Sequence, residues 1–408
     1  MHRRRFLTTA GALPAALTSL CAGRTVESTK LETIRQRTDL TAGYGPWIEV
    51  NREHLTWNAE QVSRRVGRRP ILAVVKGNAY GHGLTGTARH LATLPAIHGF
   101  AVFKVDEALS LRAVGVTKPV LLLGPATDAE FEELVRQDVM PSIYEDRTAL
   151  LVRLARALGK PVRVHLYVDT GLGRTGVPYH QALSLVTSVA SSDAVQFDGV
   201  LTALTEDTEF DREQLRRLGT LCADAEDRGI DLGRRHAASS SAVFHLADAH
   251  LDMVRPGIAL YGCYPGNADD ERAEMVLRPA MSLRARVMYV KRLRVGDSLQ
   301  YHRAYVAERP VRVATIPVGY SDGLPRSAVG TCSVLINGRR YPLIAGITSN
   351  HCLAELGDEP SVAVGDEVLF FGSADGGSID PHEVATRANL SVYGLLMGMN
   401  PLLPRVYI

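Results

Sequence analysis

The sequence predicts a (β/α)8 barrel followed by a smaller β-rich domain. From residue 70 onward, short apolar runs alternate with longer amphipathic segments of helical period, which is the pattern of repeated strand and helix units. In chain order the apolar runs are ILAVV, GFAVF, PVLLL, MPSIY, VRVHLYV, FDGVLTAL, RRHAAS and MVRPGIALY. Eight such units close a barrel of this class. We therefore assign residues 44–277 to the barrel.

An open doubly wound sheet is the competing architecture for this half of the chain. Such sheets normally carry a GxGxxG phosphate-binding turn after their first strand. The residues after ILAVV read KGNAYGHG instead, so the barrel is the better interpretation.

The sequence pattern changes at about residue 278, where short runs of alternating apolar and polar residues are separated by Gly, Asn and Pro turns. The segments VRVATIPVGY, CSVLINGRRYPLIAG and GDEVLFFG are examples. This pattern predicts a β-rich domain over residues 278–408.

The first 23 residues have the form of a twin-arginine export signal. Three arginines at positions 3–5 precede a weakly apolar stretch rich in Ala, Thr and Gly. A transmembrane anchor needs roughly 20 strongly apolar residues, and Pro14 argues against one. Cys21 leaves lipoprotein processing as an alternative, which the large Leu20 before it disfavours. We predict cleavage near residue 23, a linker over 24–43 and an exported, extracytoplasmic protein.

The charge balance argues against two classes of partner. The chain has 46 Lys and Arg against 44 Asp and Glu, and loss of the leader arginines leaves 43 against 44. This near-neutral chain has no basic stripe for nucleic acid, and no later segment is long and apolar enough to enter a membrane. The cysteines beyond the leader lack metal-binding spacing, so no metal is predicted, although a disulfide is allowed: Cys222, Cys263, Cys332 and Cys352.

The segment ILAVVKGNAYGHG, residues 71–83, contains the most informative side chain. Lys76 ends an apolar, β-branched run that a buried strand would carry inward, and burial penalises the charged form of an amine. A neutral lysine is suited to Schiff-base formation with an aldehyde, above all pyridoxal 5'-phosphate (PLP). Tyr80 offers a hydroxyl to a phosphate, and the neighbouring glycines let the backbone approach a ligand closely. The plainer alternative is a strand whose last residue reaches solvent.

Other polar side chains fall at the predicted carboxyl ends of barrel strands. Arg174 lies in the DTGLGRTG turn after the fifth strand. His236 and Ser240 follow the seventh strand, and Arg255 lies within the eighth. Active residues of such barrels lie at this end of the strands, so we expect these side chains to meet Lys76 on one face.

The segment around Lys76 resembles the motif VVKxNAYGHG of the alanine racemase family, and the similarity covers roughly residues 46–408. The resemblance implies that Lys76 binds PLP, that Arg174 pairs with the substrate carboxylate, and that Arg255 hydrogen-bonds the pyridine nitrogen. An arginine there keeps the ring unprotonated, so less carbanion charge drains into it, which favours racemisation. The other cofactor-binding positions implied are Tyr80, His236, Ser240, Gly257 and Ile258.

Racemisation requires a base on each face of the planar intermediate. Lys76 can serve one face, and the resemblance implies that Tyr301, in GDSLQYHRAYVA, serves the other by entering the barrel of a second subunit. A homodimer is therefore expected. Free tyrosine has a pKa of about 10, so Tyr301 needs a cationic or hydrogen-bonding setting to accept a proton. The resemblance also implies that Tyr320 narrows the entrance and that Ser349 faces the substrate.

Several positions depart from the family pattern close to the chemistry. Ala203 replaces a histidine that stacks on the cofactor ring and bonds to the catalytic tyrosine. Tyr167 replaces a lysine, often carbamylated, that braces the carboxylate-binding arginine. A Met-Asp pair and an Asn-Ser pair are also changed, to Ser349 and Asn350 and to Ser239 and Ser240. Loss of the histidine would open space over the cofactor. This suggests that the site accepts amino-acid substrates whose side chains are larger than a methyl group.

We expect an exported PLP-dependent racemase that acts on alanine, or on a broader set of amino acids such as serine. A PLP-binding protein with little turnover, used in binding or sensing, is the alternative that the altered positions suggest. A decarboxylase or aldolase with the same two domains is a third interpretation, which Tyr301 and Arg255 disfavour because both match racemases.

Overall fold

The computed structural model describes residues 41–358 and 361–408. The predicted export signal, residues 1–23, lies outside the described residues, as does most of the predicted linker. Tyr44–Ile408 form one compact unit. Across the described residues, no helix has the length and apolar character needed to cross a membrane.

Strands and helices alternate through the first part of this unit. Short 3-10 turns at Ala247–His250 and Ile258–Tyr261 follow the last strand. The elements are β1 (Trp47–Val50), α1 (Arg52–Arg65), β2 (Ile71–Val74), α2 (Leu84–Ala92), β3 (Ile97–Val102), α3 (Val105–Ala113), β4 (Val120–Leu122), α4 (Asp128–Arg136), β5 (Val139–Ile143), α5 (Thr148–Leu158), β6 (Val162–Asp169), β7 (Val177–Pro178), α6 (Tyr179–Val189), β8 (Val195–Leu201), α7 (Thr208–Glu226), β9 (Arg234–His236), α8 (Ser240–His245) and α9 (Ala268–Glu274).

The barrel is a parallel sheet in which β2, β3, β4, β5, β6, β8 and β9 pair in that order. The predicted eighth strand closes the ring without forming a regular strand. Its backbone accepts hydrogen bonds from β2, with Leu72 N donating to Val254 O at 2.9 Å and Val74 N to Pro256 O at 3.0 Å. Arg255 N donates to Ala238 O, just beyond β9, at 2.8 Å. Pro256 has no N–H to extend the ladder, which explains the irregularity. The predicted (β/α)8 barrel is confirmed.

The barrel strands are apolar because both of their faces are covered. All residues of β2, β4 and β5 are buried. The helices present their apolar stripes to the outside of the sheet, as α1 does with Leu55, Ala59 and Val62.

The β-rich domain follows the barrel, as predicted. Its main sheet has the order β11-β14-β17-β16-β15-β18-β10-β1-β20, with β19 beside β18, while β12 and β13 pair separately. The elements are β10 (Met281–Arg286), β11 (Tyr289–Leu293), β12 (Ser298–Leu299), β13 (Tyr305–Val306), β14 (Val311–Ile316), β15 (Ser333–Ile336), β16 (Arg339–Ile344), β17 (Cys352–Gly357), β18 (Glu367–Ala374), β19 (Gly377–Ile379), α10 (Pro381–Arg387), α11 (Val392–Met397) and β20 (Arg405–Tyr407).

Strand β1 belongs to this C-terminal sheet, although it precedes the barrel in sequence. It pairs antiparallel with β10 on one side and parallel with β20 on the other, so the backbone N–H and C=O groups on both of its edges have hydrogen-bond partners. The sequence prediction counted residue 44 onward with the barrel, and the structure differs at this strand. The pairing partners lie more than two hundred residues away, beyond the reach of a local pattern.

Candidate active site

Lys76 follows the first barrel strand directly, where the apolar run of β2 ends. Burial and the positive charge of Arg174 lower the pKa of its ammonium, and the carboxylate of Glu107 acts in the opposite direction. A lower pKa increases the fraction of neutral amine near neutral pH. The neutral amine is the form that attacks a carbonyl carbon.

The turn after Lys76 is left-handed over four consecutive residues. Gly77, Asn78, Ala79 and Tyr80 have φ of +63°, +57°, +53° and +52°. This conformation costs a residue with a side chain roughly 1–2 kcal/mol, so surrounding contacts must hold it. A Cβ on Gly77 would lie 2.3 Å from Cε of Met397, so the end of that flexible side chain would have to shift.

Tyr80, Ser240 and Gly257 meet beside this turn. Tyr80 is buried, and burial raises the pKa of its phenol to about 12, so its hydroxyl keeps its proton. A Cβ on Gly257 would lie 2.2 Å from Tyr80 Oη, so any larger residue at position 257 would displace the Tyr80 hydroxyl. Ser240 Oγ accepts hydrogen bonds from Gly257 N at 3.0 Å and Ala259 N at 3.2 Å. Hydroxyls and glycine-backed amides at one place are donors that suit a phosphate group.

Arg255 lies buried between the seventh and eighth barrel segments. Its guanidinium donates to the carbonyl oxygens of Thr202 at 2.6 Å, His236 at 2.6 Å and Ala237 at 3.2 Å. It also donates to His236 Nδ1 at 2.8 Å. Burial lowers the pKa of Arg255 to about 10, which still leaves the group charged at neutral pH.

His236 uses both of its ring nitrogens on protein partners. Because Nδ1 accepts from Arg255, Nε2 carries the proton and donates to His165 Nδ1 at 2.9 Å. Burial, followed by the charge of Arg255, lowers the pKa of His236 well below its usual range. His236 therefore acts on the site through Arg255.

Arg174 lies exposed in the loop between β6 and β7, where its charge acts on Lys76. No hydrogen bond or ion pair joins its guanidinium to another residue in the described part of the chain. The loop itself is fixed by Asp169, whose Oδ1 accepts from Gly171 N and Gly173 N at 3.0 Å each. The guanidinium is thus held near the lysine with its donors available.

Two of the positions that depart from the family pattern lie at the same end of the barrel. Tyr167 is buried near the end of β6, close enough for its phenol to act on the Arg255 guanidinium. Ala203 follows β8, and its carbonyl oxygen accepts from Gln214 Nε2 at 3.1 Å. A methyl group at this position fills far less space than an imidazole.

Two of the predicted residues of the β-rich domain, Tyr301 and Tyr320, are exposed to solvent. The side chain of Tyr301 is 78% exposed and that of Tyr320 is 50% exposed. The loop with Tyr320 is fixed to the loop with Ser349, since Ser321 N donates to Ser349 O at 3.0 Å. None of the hydrogen bonds or ring contacts of the described residues joins Tyr301 to Lys76 or Arg174.

The backbone beside Tyr301 is strained. Gln300, His302 and Arg303 all have positive φ, at +65°, +59° and +53°. Strain of this kind concentrates at functional sites, where the surroundings hold an unfavourable conformation.

The structure adds two residues that the sequence interpretation did not identify. Tyr393, on α11, lies with its ring centroid 6.1 Å from that of Tyr80, and burial raises the pKa of its phenol. Glu107, on α3, accepts a hydrogen bond from Gly77 N at 2.6 Å. Both reach the Lys76 turn from elements distant in sequence, so no local motif marked them.

This geometry defines the chain as a barrel enzyme in which a lysine of lowered pKa stands beside a phosphate-type donor set and a buried arginine. The family model for the alanine racemase N-terminal domain matches residues 50–265, and the model for the C-terminal domain matches residues 280–407. The chain belongs to the alanine racemase family, which depends on PLP.

Individual relatives cover nearly the whole barrel and β-rich domain. Alanine racemase 2 of Caldanaerobacter subterraneus subsp. tengcongensis is 33% identical over 88% of this chain and 94% of its own length. Alanine racemase of Desulforamulus reducens is 33% identical over 89% and 98%. Among solved structures, alanine racemase of Clostridium difficile 630 superposes with a TM-score of 0.82 at 27% identity over 89% of this chain and 95% of that one. The Bacillus anthracis alanine racemase with bound L-Ala-P gives 0.79 at 28%, over 89% and 95%.

Proposed function

We propose that this chain is an exported PLP-dependent racemase that interconverts L- and D-alanine, with serine as a further substrate. The observation that carries the catalytic part is the position of Lys76. Its amine has a lowered pKa and stands at one barrel end with the Tyr80, Ser240 and Gly257 donors and with Arg255.

The residues present fit PLP at both of its polar ends. Tyr80 Oη, Ser240 Oγ and the backbone of Gly257 and Ile258 would hold the phosphate, because the hydroxyls are protonated donors and the glycine leaves room for close approach. Arg255 would donate to the ring nitrogen, since its charge is already oriented by three carbonyl oxygens. When bound, PLP supplies an electron-withdrawing ring that acidifies the α C–H of an attached amino acid.

Lys76 and Tyr301 are proposed as the two bases. Lys76 Nζ takes the α-proton on one face or returns it, which its lowered pKa favours. Tyr301 Oη does the same on the other face, with the tyrosine supplied by a partner subunit. The exposure of Tyr301, on a loop with positive φ at three neighbouring residues, supports this arrangement, because an exposed phenol is accessible to the barrel of another subunit.

Arg174 is proposed to bind the substrate carboxylate. Its guanidinium acts on Lys76 and has its donors available, and planar paired donors suit a carboxylate. Tyr320 and Ser349 are proposed to line the entrance from the partner's β-rich domain. The hydrogen bond from Ser321 N to Ser349 O joins the loops that carry Tyr320 and Ser349, which supports a joint role at the entrance.

The proposed extension to serine rests on Ala203. A methyl group is smaller than the imidazole of the family's histidine, and the volume that this change would free over the cofactor suits a hydroxymethyl group. Chiral inversion of a panel of free L- and D-amino acids by the purified protein with PLP tests both the activity and its range. Inversion of alanine alone would remove the serine proposal and leave the racemase intact.

A PLP-binding protein with little turnover remains the second candidate, because Arg174 lacks a bracing partner among the described residues and Tyr301 lacks the family's histidine. Exchange of solvent deuterium into the α-position of L-alanine separates the two. No incorporation with PLP fully bound would exclude catalysis and favour the binding or sensing role.

Export is proposed from residues 1–23, in particular the arginines at positions 3–5. Twin-arginine export carries folded proteins, which suits a protein that captures PLP before it leaves the cytoplasm. Replacement of two of these arginines by lysine should retain the protein in the cytoplasmic fraction, and unchanged fractionation would contradict the proposal.

A further inference from the structure

The left-handed turn at residues 77–80 needs an external clamp. Asn78, Ala79 and Tyr80 adopt a conformation that their side chains disfavour. Residues close in sequence hold part of the turn, since Ala79 N donates to Val75 O at 2.9 Å and Asn78 Oδ1 accepts from Leu84 N at 2.8 Å. The first amide of the turn, that of Gly77, has its partner outside the turn.

That partner is Glu107, on α3. Its Oε1 accepts from Gly77 N at 2.6 Å, and its Oε2 accepts from Phe103 N and Lys104 N, both at 3.1 Å. The Glu107 side chain is only 8% exposed. One carboxylate oxygen therefore caps α3, and the other fastens the turn that follows a different barrel strand.

The charge of Glu107 also reaches Lys76. The charged groups that act on the Lys76 ammonium are Arg174, from the loop after β6, and Glu107, from α3. The charge of Arg174 lowers the pKa of Lys76 and the charge of Glu107 raises it, so the two effects on this pKa partly cancel.

We propose that Glu107 is a positioning residue of the PLP site, where it clamps the Lys76 turn through Gly77 N and sets the electrostatic balance at the Lys76 amine against Arg174. This inference rests on the proposed role of Lys76. The distance and the burial carry it, because a charge-assisted hydrogen bond inside the protein is stronger and more directional than one at the surface.

The chain offers a matched control in the next helix unit. Glu130 on α4 occupies the same capping position as Glu107, and its Oε2 accepts from Thr127 N at 2.8 Å and from Thr127 Oγ at 2.8 Å. It is exposed, and none of its hydrogen bonds reaches the site. A variant of Glu130 therefore measures the effect of losing a helix-capping carboxylate while the Glu107 hydrogen bond to Gly77 N stays in place.

The test compares Glu107→Ala, Glu107→Gln and Glu130→Ala with the wild-type protein, each prepared without PLP. Two quantities are measured: the dissociation constant of PLP, from its absorbance on titration, and the pH midpoint of the rate of PLP capture. Capture needs the neutral Lys76 amine, so the midpoint follows the pKa of that group. Circular dichroism of each variant before PLP addition records folding.

Glu107→Ala should raise the dissociation constant about tenfold or more, since it removes both the clamp and the charge. Glu107→Gln keeps the shape and removes the charge, so the capture midpoint should move to lower pH than in the wild type. Glu130→Ala should match the wild type in both quantities. A Glu107→Gln midpoint equal to that of the wild type, with a Glu107→Ala dissociation constant within about twofold of the wild-type value, would overturn the inference. Wild-type protein that takes up no PLP would overturn the role of Lys76 itself, which separates the two failures.

Discussion

The guanidinium of Arg255 donates to Nδ1 of His236 at 2.8 Å, and this bond fixes the proton of the imidazole on Nε2. The proton then points at His165 Nδ1, 2.9 Å away, so a chain of polar groups runs from the candidate site into the barrel interior. Both histidines are neutral, because burial lowers the pKa of His165 to about 3 and that of His236 well below its usual range.

The two buried histidines predict an acid-sensitive fold. Their pKa values in the folded protein lie below the ordinary value of about 6.5, so the unfolded chain binds more protons as the pH falls. The free energy of unfolding is therefore highest above about pH 6.5 and falls as the pH drops below it, for His165 by about 1.4 kcal/mol per pH unit down to about pH 3. His236 acts in the same direction. Urea unfolding between pH 7.5 and pH 5 measures this slope. His165→Asn should make it shallower, and parallel curves for variant and wild type would contradict the prediction.

Lys76→Ala should abolish covalent capture of PLP while leaving the fold intact, because the Lys76 amine lies beyond the end of β2 and makes no hydrogen bond or ion pair with another described residue. Borohydride treatment should attach PLP to the peptide containing Lys76 in the wild type and to no peptide in the variant. Lys104→Ala is the control, since Lys104 follows the next barrel strand and is exposed. Labelling of the variant at another lysine would remove Lys76 from its proposed role.

Gly257→Ala should weaken PLP binding by displacing Tyr80. The new Cβ would lie 2.2 Å from Tyr80 Oη, so the hydroxyl must leave the place where Ser240 and the Gly257 amide converge. We expect a rise of about tenfold or more in the PLP dissociation constant, measured by absorbance titration. Gly219→Ala is the matched control, because a Cβ there meets nothing within 4 Å. Equal affinities in the two variants would show that Tyr80 is not needed at that position.

Local pattern was sufficient to predict the barrel and the position of Lys76. An apolar run followed by a turn identifies a strand end, and barrel geometry brings strand ends together, so Arg255 and Ser240 are expected at the same end of the barrel as Lys76. The eighth strand was predicted as regular, but Pro256 breaks its ladder.

Contacts between distant segments could not be predicted in this way. Glu107 reaches Gly77 across 30 residues, and its sequence context reads as an ordinary helix cap. Tyr393 lies beside Tyr80 only because α11 packs on the Lys76 turn, and β1 joins the C-terminal sheet because β10 and β20 flank it. Such pairings depend on the whole fold.

Tyr301 is exposed and shares no hydrogen bond with Lys76 among the described residues of its own chain, which predicts that two subunits share each site. Tyr301→Phe should keep the visible absorbance of bound PLP but remove proton exchange for one enantiomer of alanine, because only one face loses its base. Tyr289→Phe, another exposed tyrosine of the β-rich domain, is the control and should leave both exchanges unchanged.

Mixing the inactive Lys76→Ala and Tyr301→Phe proteins, unfolded and refolded together, then tests the shared site directly. A mixed dimer has one site with both substitutions and one site with neither, so random pairing should restore about a quarter of the wild-type activity. A site built within one chain would contain one substitution in every copy, and the mixture would stay inactive. Restored activity that falls on dilution to subunit concentrations where the dimer dissociates would tie the second base to the partner subunit.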